Sequence, residues 1–189
     1  MELGRTLYVT DRNAWRAWLS KNHAKEKEIW LVYYRKSSGK QRIPYNDAVE
    51  EALCFGWIDS IVKKVDDERF AQRFSPRRST SQLSQMNKER IRQLISEKRM
   101  TRFGMAAVAH AYDGQSDHGK VRVPEDIMDE IRKSPAAYKH FQKLPESYKR
   151  IRIAYIEDRR GLGTDAFQKR LANFIRITAR GKRFGMVRE

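Results

Sequence analysis

Cys54-Phe55-Gly56-Trp57-Ile58-Asp59-Ser60-Ile61-Val62-Lys63-Lys64-Val65-Asp66-Asp67-Glu68-Arg69-Phe70-Ala71-Gln72-Arg73-Phe74-Ser75-Pro76-Arg77-Arg78 contains a helix end, a tight turn, a hairpin and a basic loop. Upstream of it, Tyr45, Ala48, Val49, Ala52 and Leu53 recur at helical spacing. Gly56 stands where a left-handed C-terminal cap belongs. After Gly56 the period falls to two: Ile58, Ser60, Val62 and Lys64 share one face, and Trp57, Asp59, Ile61, Lys63 and Val65 share the other. Asp66-Asp67 makes the turn, and Arg69 to Phe74 returns antiparallel with Phe70, Gln72 and Phe74 on one side. Ser75-Pro76 ends the strand.

Outward from this block the same rules predict the rest. Leu7-Tyr8-Val9 is a short strand, and Thr10 caps a helix from Asp11 to Asn22 whose stripe is Ala14, Trp15, Trp18 and Leu19. Ile29-Trp30-Leu31-Val32-Tyr33-Tyr34 is apolar on both faces, as in a strand covered on both sides. Ser37 to Lys40 is a turn, with Gln41-Arg42-Ile43 as a hairpin continuation and Pro44 at the first helical position. Gln82 to Lys98 is amphipathic through Leu83, Met86, Ile91, Leu94 and Ile95, and Thr101 caps a helix through Tyr112. Beyond Val123 the chain is helical: Pro124, Pro135 and Pro145 mark helix starts, Ser134 caps the second, and Gly181 closes a last helix, Asp165 to Arg180. The expected class is α+β: a small antiparallel sheet with flanking helices over 1–112, a linker over 113–123, and a helical module over 124–189.

Charge bounds the function. Forty Lys and Arg face 24 Asp and Glu, a net of +16, in a chain of 189 residues. Ten basic residues against two acidic lie between Arg69 and Arg102, and twelve against four lie between Lys149 and Glu189. Such charge favours a polyanion partner, nucleic acid foremost; a solvated surface is the competing explanation. Eight Phe, eight Tyr and four Trp are enough for a core. No apolar run approaches a membrane span. The start, Met1-Glu2-Leu3-Gly4-Arg5-Thr6, lacks the apolar region of a signal peptide. The single Cys54 excludes an internal disulfide framework, so a cytoplasmic location is expected.

Phe55 to Ser60, with Gln72 to Arg78 downstream, resembles the YdeI/OmpD-associated family, often labelled bacteriocin-protection proteins. Pro124-Glu125-Asp126, Pro135-Ala136-Ala137, Phe141 and Leu144-Pro145 resemble that family's helical module, and the N-terminal part is similar to the YjbR/CyaY-like superfamily. The resemblance implies a sheet with flanking helices and a helical tail, with no established activity. Three features depart from the pattern: Leu83 replaces a Trp, Gln115-Ser116-Asp117-His118 replaces an aromatic-bearing segment, and Thr164-Asp165 replaces a Thr-Arg pair. Frataxin-like relatives handle iron through an acidic first helix; Asp11-Arg12 through Lys27 is mixed to basic here and disfavours that role.

The candidate ligand residues are Trp57, Asp59, Lys64, Arg69, Arg73, Phe74, Arg77, Arg78 and Asn87. Asp59 is an acid in an apolar strand: either a base or substrate-orienting acceptor beside Ser60 and Lys64, or a structural acid bonded to an Arg or to backbone amides. Arg69, Arg73, Arg77 and Arg78 suit phosphate or carboxylate, with Trp57 and Phe74 as stacking surface. The structural alternative pairs Arg73 with Asp59 across the hairpin. Asn87 sits on an apolar stripe and fastens the Ser75 to Ser84 loop or, less simply, contacts ligand. Cys54 reads as a small buried hydrophobe. His23, His110, His118 and His140 lack ligand spacing, so neither metal nor cofactor is expected. With no phosphate loop, dinucleotide fingerprint or nucleophile elbow, the leading reading is a non-enzymatic binder of a polyanion. The alternatives are an enzyme or sensor for a small anion near Asp59, and a protective factor working by protein contact.

Overall fold

Gly56, at φ +76°, turns the chain out of helix α2 (Tyr45–Cys54) into strand β3 (Trp57–Lys64), and β4 (Arg69–Pro76) returns against it. The computed structural model describes residues 3–114, 119–162 and 164–185. The candidate residue His118, the substituted segment 115–118 and the Met1-Glu2 start lie outside these. The chain divides into two compact units, Met1–Leu83 with Arg90–Asp113, and Ser84–Glu89 with Gly114–Glu189. Residues 84–89 group with the second unit.

In the first unit, β1 (Thr6–Leu7), β2 (Ile29–Tyr34), β4 and β3 form one sheet in the order β1-β2-β4-β3. β2–β4 and β4–β3 are antiparallel, whereas β1 runs parallel to β2, so the sheet is mixed rather than wholly antiparallel. Asp59 faces Phe74 but Val62 faces Gln72: three steps on β3 match two on β4. This bulge breaks the strict alternation read from the sequence and puts Val62 on the same face as Asp59. That face, with Ile29, Leu31, Tyr33 and Phe74, packs on Trp15 and Leu19 of α1 (Arg12–Asn22) and on Ala48, Val49, Ala52 and Leu53 of α2. Trp30, Val32 and Ala71 form a smaller cluster on the opposite face.

Several boundaries differ from expectation. Asp11, not Thr10, caps α1, its carboxylate accepting from the Ala14 amide at 2.9 Å. Gln41 to Ile43 form no strand; Pro44 deflects the chain straight into α2. Helix α3 spans Gln85–Ser96, and α4 (Arg102–Val108), capped by Thr101, stops short of Tyr112. A Cβ on Gly104 would overlap the Cys54 carbonyl oxygen, which explains a glycine in the first turn of α4.

The second unit stacks α5 (Glu125–Arg132), α6 (Pro135–Gln142), α7 (Glu146–Glu157) and α8 (Thr164–Ala179). Pro124 and Pro145 precede their helices, Pro135 opens α6 behind the Ser134 cap, and Gly181 at φ +65° follows α8. Ile127, Ile131, Phe141, Ile153, Ile156, Leu171 and Phe174 make its core.

Candidate functional sites

Asp59 is held rather than free. The Tyr45 hydroxyl donates to its Oδ2 at 2.8 Å, and the Gln72 amide donates to the same oxygen at 2.7 Å. Burial, then the Asp59 charge, pushes the Tyr45 hydroxyl up to about 12. Tyr33 is 2% exposed and Arg77 8% exposed, and both lie within the field of Asp59. The Tyr33 hydroxyl and the Arg77 Nε and Nη2 have no hydrogen-bond partner among the described residues. Among the described residues the Arg77 side chain donates through Nη1 alone, to the Gln82 carbonyl at 3.1 Å, and burial lowers its pKa. The result is a polar knot inside the sheet–helix interface, with Tyr45 and Asp59 half-buried at its edge.

The basic hairpin does not present a free guanidinium face. Arg69 pairs with Asp66 at 2.6 Å. Arg73 pairs with Glu28 at 2.7 Å, not with Asp59, because cross-strand register puts Arg73 on the opposite face of the sheet from Asp59. The Arg73 bond holds the Glu28 carboxyl below the usual range. Lys64 meets Asp67 at 2.5 Å. Trp57 and Phe74, 1% and 0% exposed, are core residues: Trp57 donates to the His23 carbonyl and packs edge-on to Trp18, and Phe74 packs on Trp15. Neither offers stacking surface to a base. Arg78 is exposed. Asn87 belongs to the second unit and takes its place in the first turn of α3, its amide donating to Ser84 Oγ at 3.3 Å.

Sequence reasoning missed an ion-pair network. Glu51 is fully buried, and it meets Arg16 at 2.7 Å, Arg12 Nε at 3.6 Å and Arg99. Arg12 also pairs with Asp47 at 2.5 Å and with Glu50, and Arg99 with Glu97 at 3.0 Å. The network fastens α1, α2 and the turn after α3, and it consumes Arg99 of the expected basic face. The one sequence signal for it is a pair of carboxylates, Glu50-Glu51, inside the otherwise apolar run from Ala48 to Trp57. Cys54 lies beside it, buried, its thiol pushed up to about 11 by burial and then by Glu51; at neutral pH it is a thiol and a poor nucleophile.

The second unit sorts its charges. Arg132 pairs with Glu125 and Asp129, Lys133 with Glu130, Lys149 with Glu146, Arg160 with Asp126 and Glu157, Lys169 with Asp165, and Arg170 with Asp158. No acid occurs from Ser134 to Pro145 or from Ala166 to Gly185. These two acid-free segments meet where the C-terminal ends of α6 and α8 touch: His140 Nδ1 donates to the Thr178 carbonyl at 3.0 Å, and Gly181 lies against the His140 ring. Lys139, Lys143, Arg180 and Lys182 are exposed around this junction and form no ion pair among the described residues. Helix C-termini favour cations electrostatically, which accounts for tolerance of the cluster there.

Fold and charge layout together define a two-unit α+β protein with a basic helical C-terminal module. Residues 7–107 match the family model for a domain of unknown function, DUF8412, which covers more than half of the chain, and the chain belongs to that family. Residues 120–181 match the OmdA model, described as bacteriocin-protection, YdeI or OmpD-associated. The C-terminal resemblance is therefore established, while the N-terminal match is to DUF8412 and not to the YjbR/CyaY-like superfamily. No curated protein and no solved structure matches the chain. Among the described residues, no helix is long and apolar enough to cross a membrane.

Proposed function

We propose that the protein is a non-enzymatic binder of a polyanion, with nucleic acid as the partner, acting through the α6–α8 end of its second unit. One observation carries this reading: two acid-free segments are joined by the His140–Thr178 bond and leave Lys139, Lys143, Arg180 and Lys182 exposed without counter-charges. The Arg69 to Arg102 stretch supports it less, because Arg69, Arg73 and Arg99 are in ion pairs and Arg77 is buried. A membrane surface fits less well than nucleic acid, since the large exposed apolar side chains lie elsewhere, at Tyr8, Ile61, Val62, Ile95, Phe103, Met105 and Tyr155. Phosphate contacts position without reading bases, so binding is sequence-independent. A cytoplasmic setting, a YjbR/CyaY-like N-terminal unit and a protective role of the kind named for residues 120–181 belong to the same proposal. The test is anisotropy of a labelled duplex at low salt. Binding is retained by Arg69→Gln/Arg73→Gln and lost in Lys139→Gln/Lys143→Gln/Arg180→Gln/Lys182→Gln; the reverse pattern refutes the location.

A second reading has its own support: the orphaned donors of Arg77 and the Tyr33 hydroxyl beside Asp59 suit a small anion. Phosphate or a dicarboxylate would then raise the melting temperature of the protein, and Arg77→Met would abolish that rise.

A further inference from the structure

A cleft of about 470 Å³ opens within the second unit, and the described residues around it all belong to that unit. Its floor is one stripe of α7, Arg150, Ile153, Ala154 and Glu157, spaced i, i+3, i+4 and i+7. One wall is the segment Gly119 to Pro124. Two bonds fix this wall on α7: Arg150 Nη1 donates to the Gly119 carbonyl at 2.8 Å, and the Val121 amide donates to Glu146 Oε2 at 2.7 Å. Val121 and Val123 pack against the core of the unit, while Lys120 and Arg122 alternate with them and stay exposed.

The charges around the cleft are unequal. Glu89 takes up Arg150 through bonds of 2.6 Å and 3.0 Å, and Arg160 takes up Glu157 at 2.6 Å. Lys120 and Arg122 form no ion pair or hydrogen bond among the described residues. Beside these two cations the cleft offers aliphatic surface from Val121, Pro124, Ile153 and Ala154. No Phe, Tyr or Trp is among the described residues that line it, so it gives a base nothing to stack on. Apolar walls with a few charged groups, at this volume, are the ordinary makeup of a small-molecule site.

We infer that this cleft binds a small aliphatic monocarboxylate, its chain on Pro124, Ile153 and Ala154 and its carboxylate at Lys120 and Arg122. Both cations are exposed in the structure as it stands, so the anion reaches them directly. The planar fork of Arg122 suits both oxygens of a carboxylate.

The test uses the whole chain with acetate, hexanoate, octanoate and octylammonium, read by ligand-observed NMR titration. A fully buried methylene tightens binding about fourfold, and in a cleft open on one side about twofold, so octanoate should bind about fourfold more tightly than hexanoate. Acetate has the charge without the chain and octylammonium the chain with the wrong charge; both should bind at least about fivefold more weakly than octanoate. Lys120→Gln/Arg122→Gln, which removes no bond within the protein, should weaken octanoate by about fivefold. Ala154→Glu should abolish its binding with the helical signal intact by circular dichroism. Lys139→Gln/Lys143→Gln/Arg180→Gln/Lys182→Gln should bind octanoate as the parent does, which separates this cleft from the polyanion surface. Equal affinities for hexanoate and octanoate, octylammonium or acetate binding as tightly as octanoate, or no binding at millimolar octanoate would each overturn the proposal. So would full affinity in Lys120→Gln/Arg122→Gln or in Ala154→Glu, or loss of binding in the variant of the polyanion surface.

Discussion

Replacing Glu51 by Gln keeps its volume and removes its charge from the centre of the Arg12–Arg16–Arg99 network. Breaking a buried pair by neutralising one partner costs about 3–5 kcal/mol, mostly from the charge left behind. Here the stranded arginines keep partial access to water, with side chains 35% exposed at Arg16 and 23% at Arg99. Arg12 retains Asp47 and Glu50, and Arg99 retains Glu97. Those outlets reduce the expected loss to about 2–3 kcal/mol, well above the roughly 0–1 kcal/mol of an exposed pair. Urea denaturation followed by tryptophan fluorescence reads it directly, because all four tryptophans, at 15, 18, 30 and 57, lie in the first unit. With a urea slope of about 1–3 kcal/mol/M, the midpoint should fall by roughly 0.7–3 M. A shift below about 0.3 M at unchanged slope would show that the network is surface decoration, and the account of how α1, α2 and the turn after α3 are joined would fail.

Gly104→Ala should destabilise the first unit by about 2–4 kcal/mol, since its Cβ meets backbone atoms of Leu53 and Cys54 that cannot give way. Gly39→Ala, at φ +67° but in open space, should cost only about 1 kcal/mol; equal losses in the two melts would remove the packing argument. Tyr33→Phe should raise stability by about 1 kcal/mol, because it deletes a buried hydroxyl that makes no hydrogen bond among the described residues. The same group sets an alkaline limit. Burial raises the folded pKa of Tyr33 and Tyr45, so their contribution is complete below the unfolded value near 10 and falls as pH rises towards the folded one, about 12 for Tyr45. Melting temperatures between pH 9.5 and 11.5 should drop more shallowly in Tyr33→Phe/Tyr45→Phe than in the parent, and parallel curves would contradict the burial.

Local signals carried much of the fold. Gly56 with the period change after it, the apolar run Ile29–Tyr34, and the prolines at 124, 135 and 145 each act within a few residues, so sequence alone exposes them. What escaped was non-local. The extra residue of β3 shows only when Asp59 and Val62 are aligned against Phe74 and Gln72. The parallel pairing of β1 rests on two residues. The sequence offers Asp59 as the partner of Arg73, but the register puts Asp59 on the other face and leaves Arg73 to Glu28. Glu51 finds Arg16 and Arg99 across 35 and 48 residues of chain. The charge count correctly marked two basic stretches, but a count does not distinguish guanidinium groups already paired with carboxylates from those left exposed. That distinction moved the candidate surface from the hairpin to the ends of α6 and α8.

The salt dependence of duplex binding tests the polyanion surface most directly. Each phosphate neutralised adds about 0.9 to the slope of log K against log salt. Lys139, Lys143, Arg180 and Lys182 acting together should make the parent slope steeper by about 3–4 than that of the variant with Gln at all four positions. Between 50 and 200 mM salt that difference corresponds to roughly a hundredfold in affinity. Identical slopes in the two proteins, or no binding by the parent at 50 mM salt, would contradict the assignment of this surface.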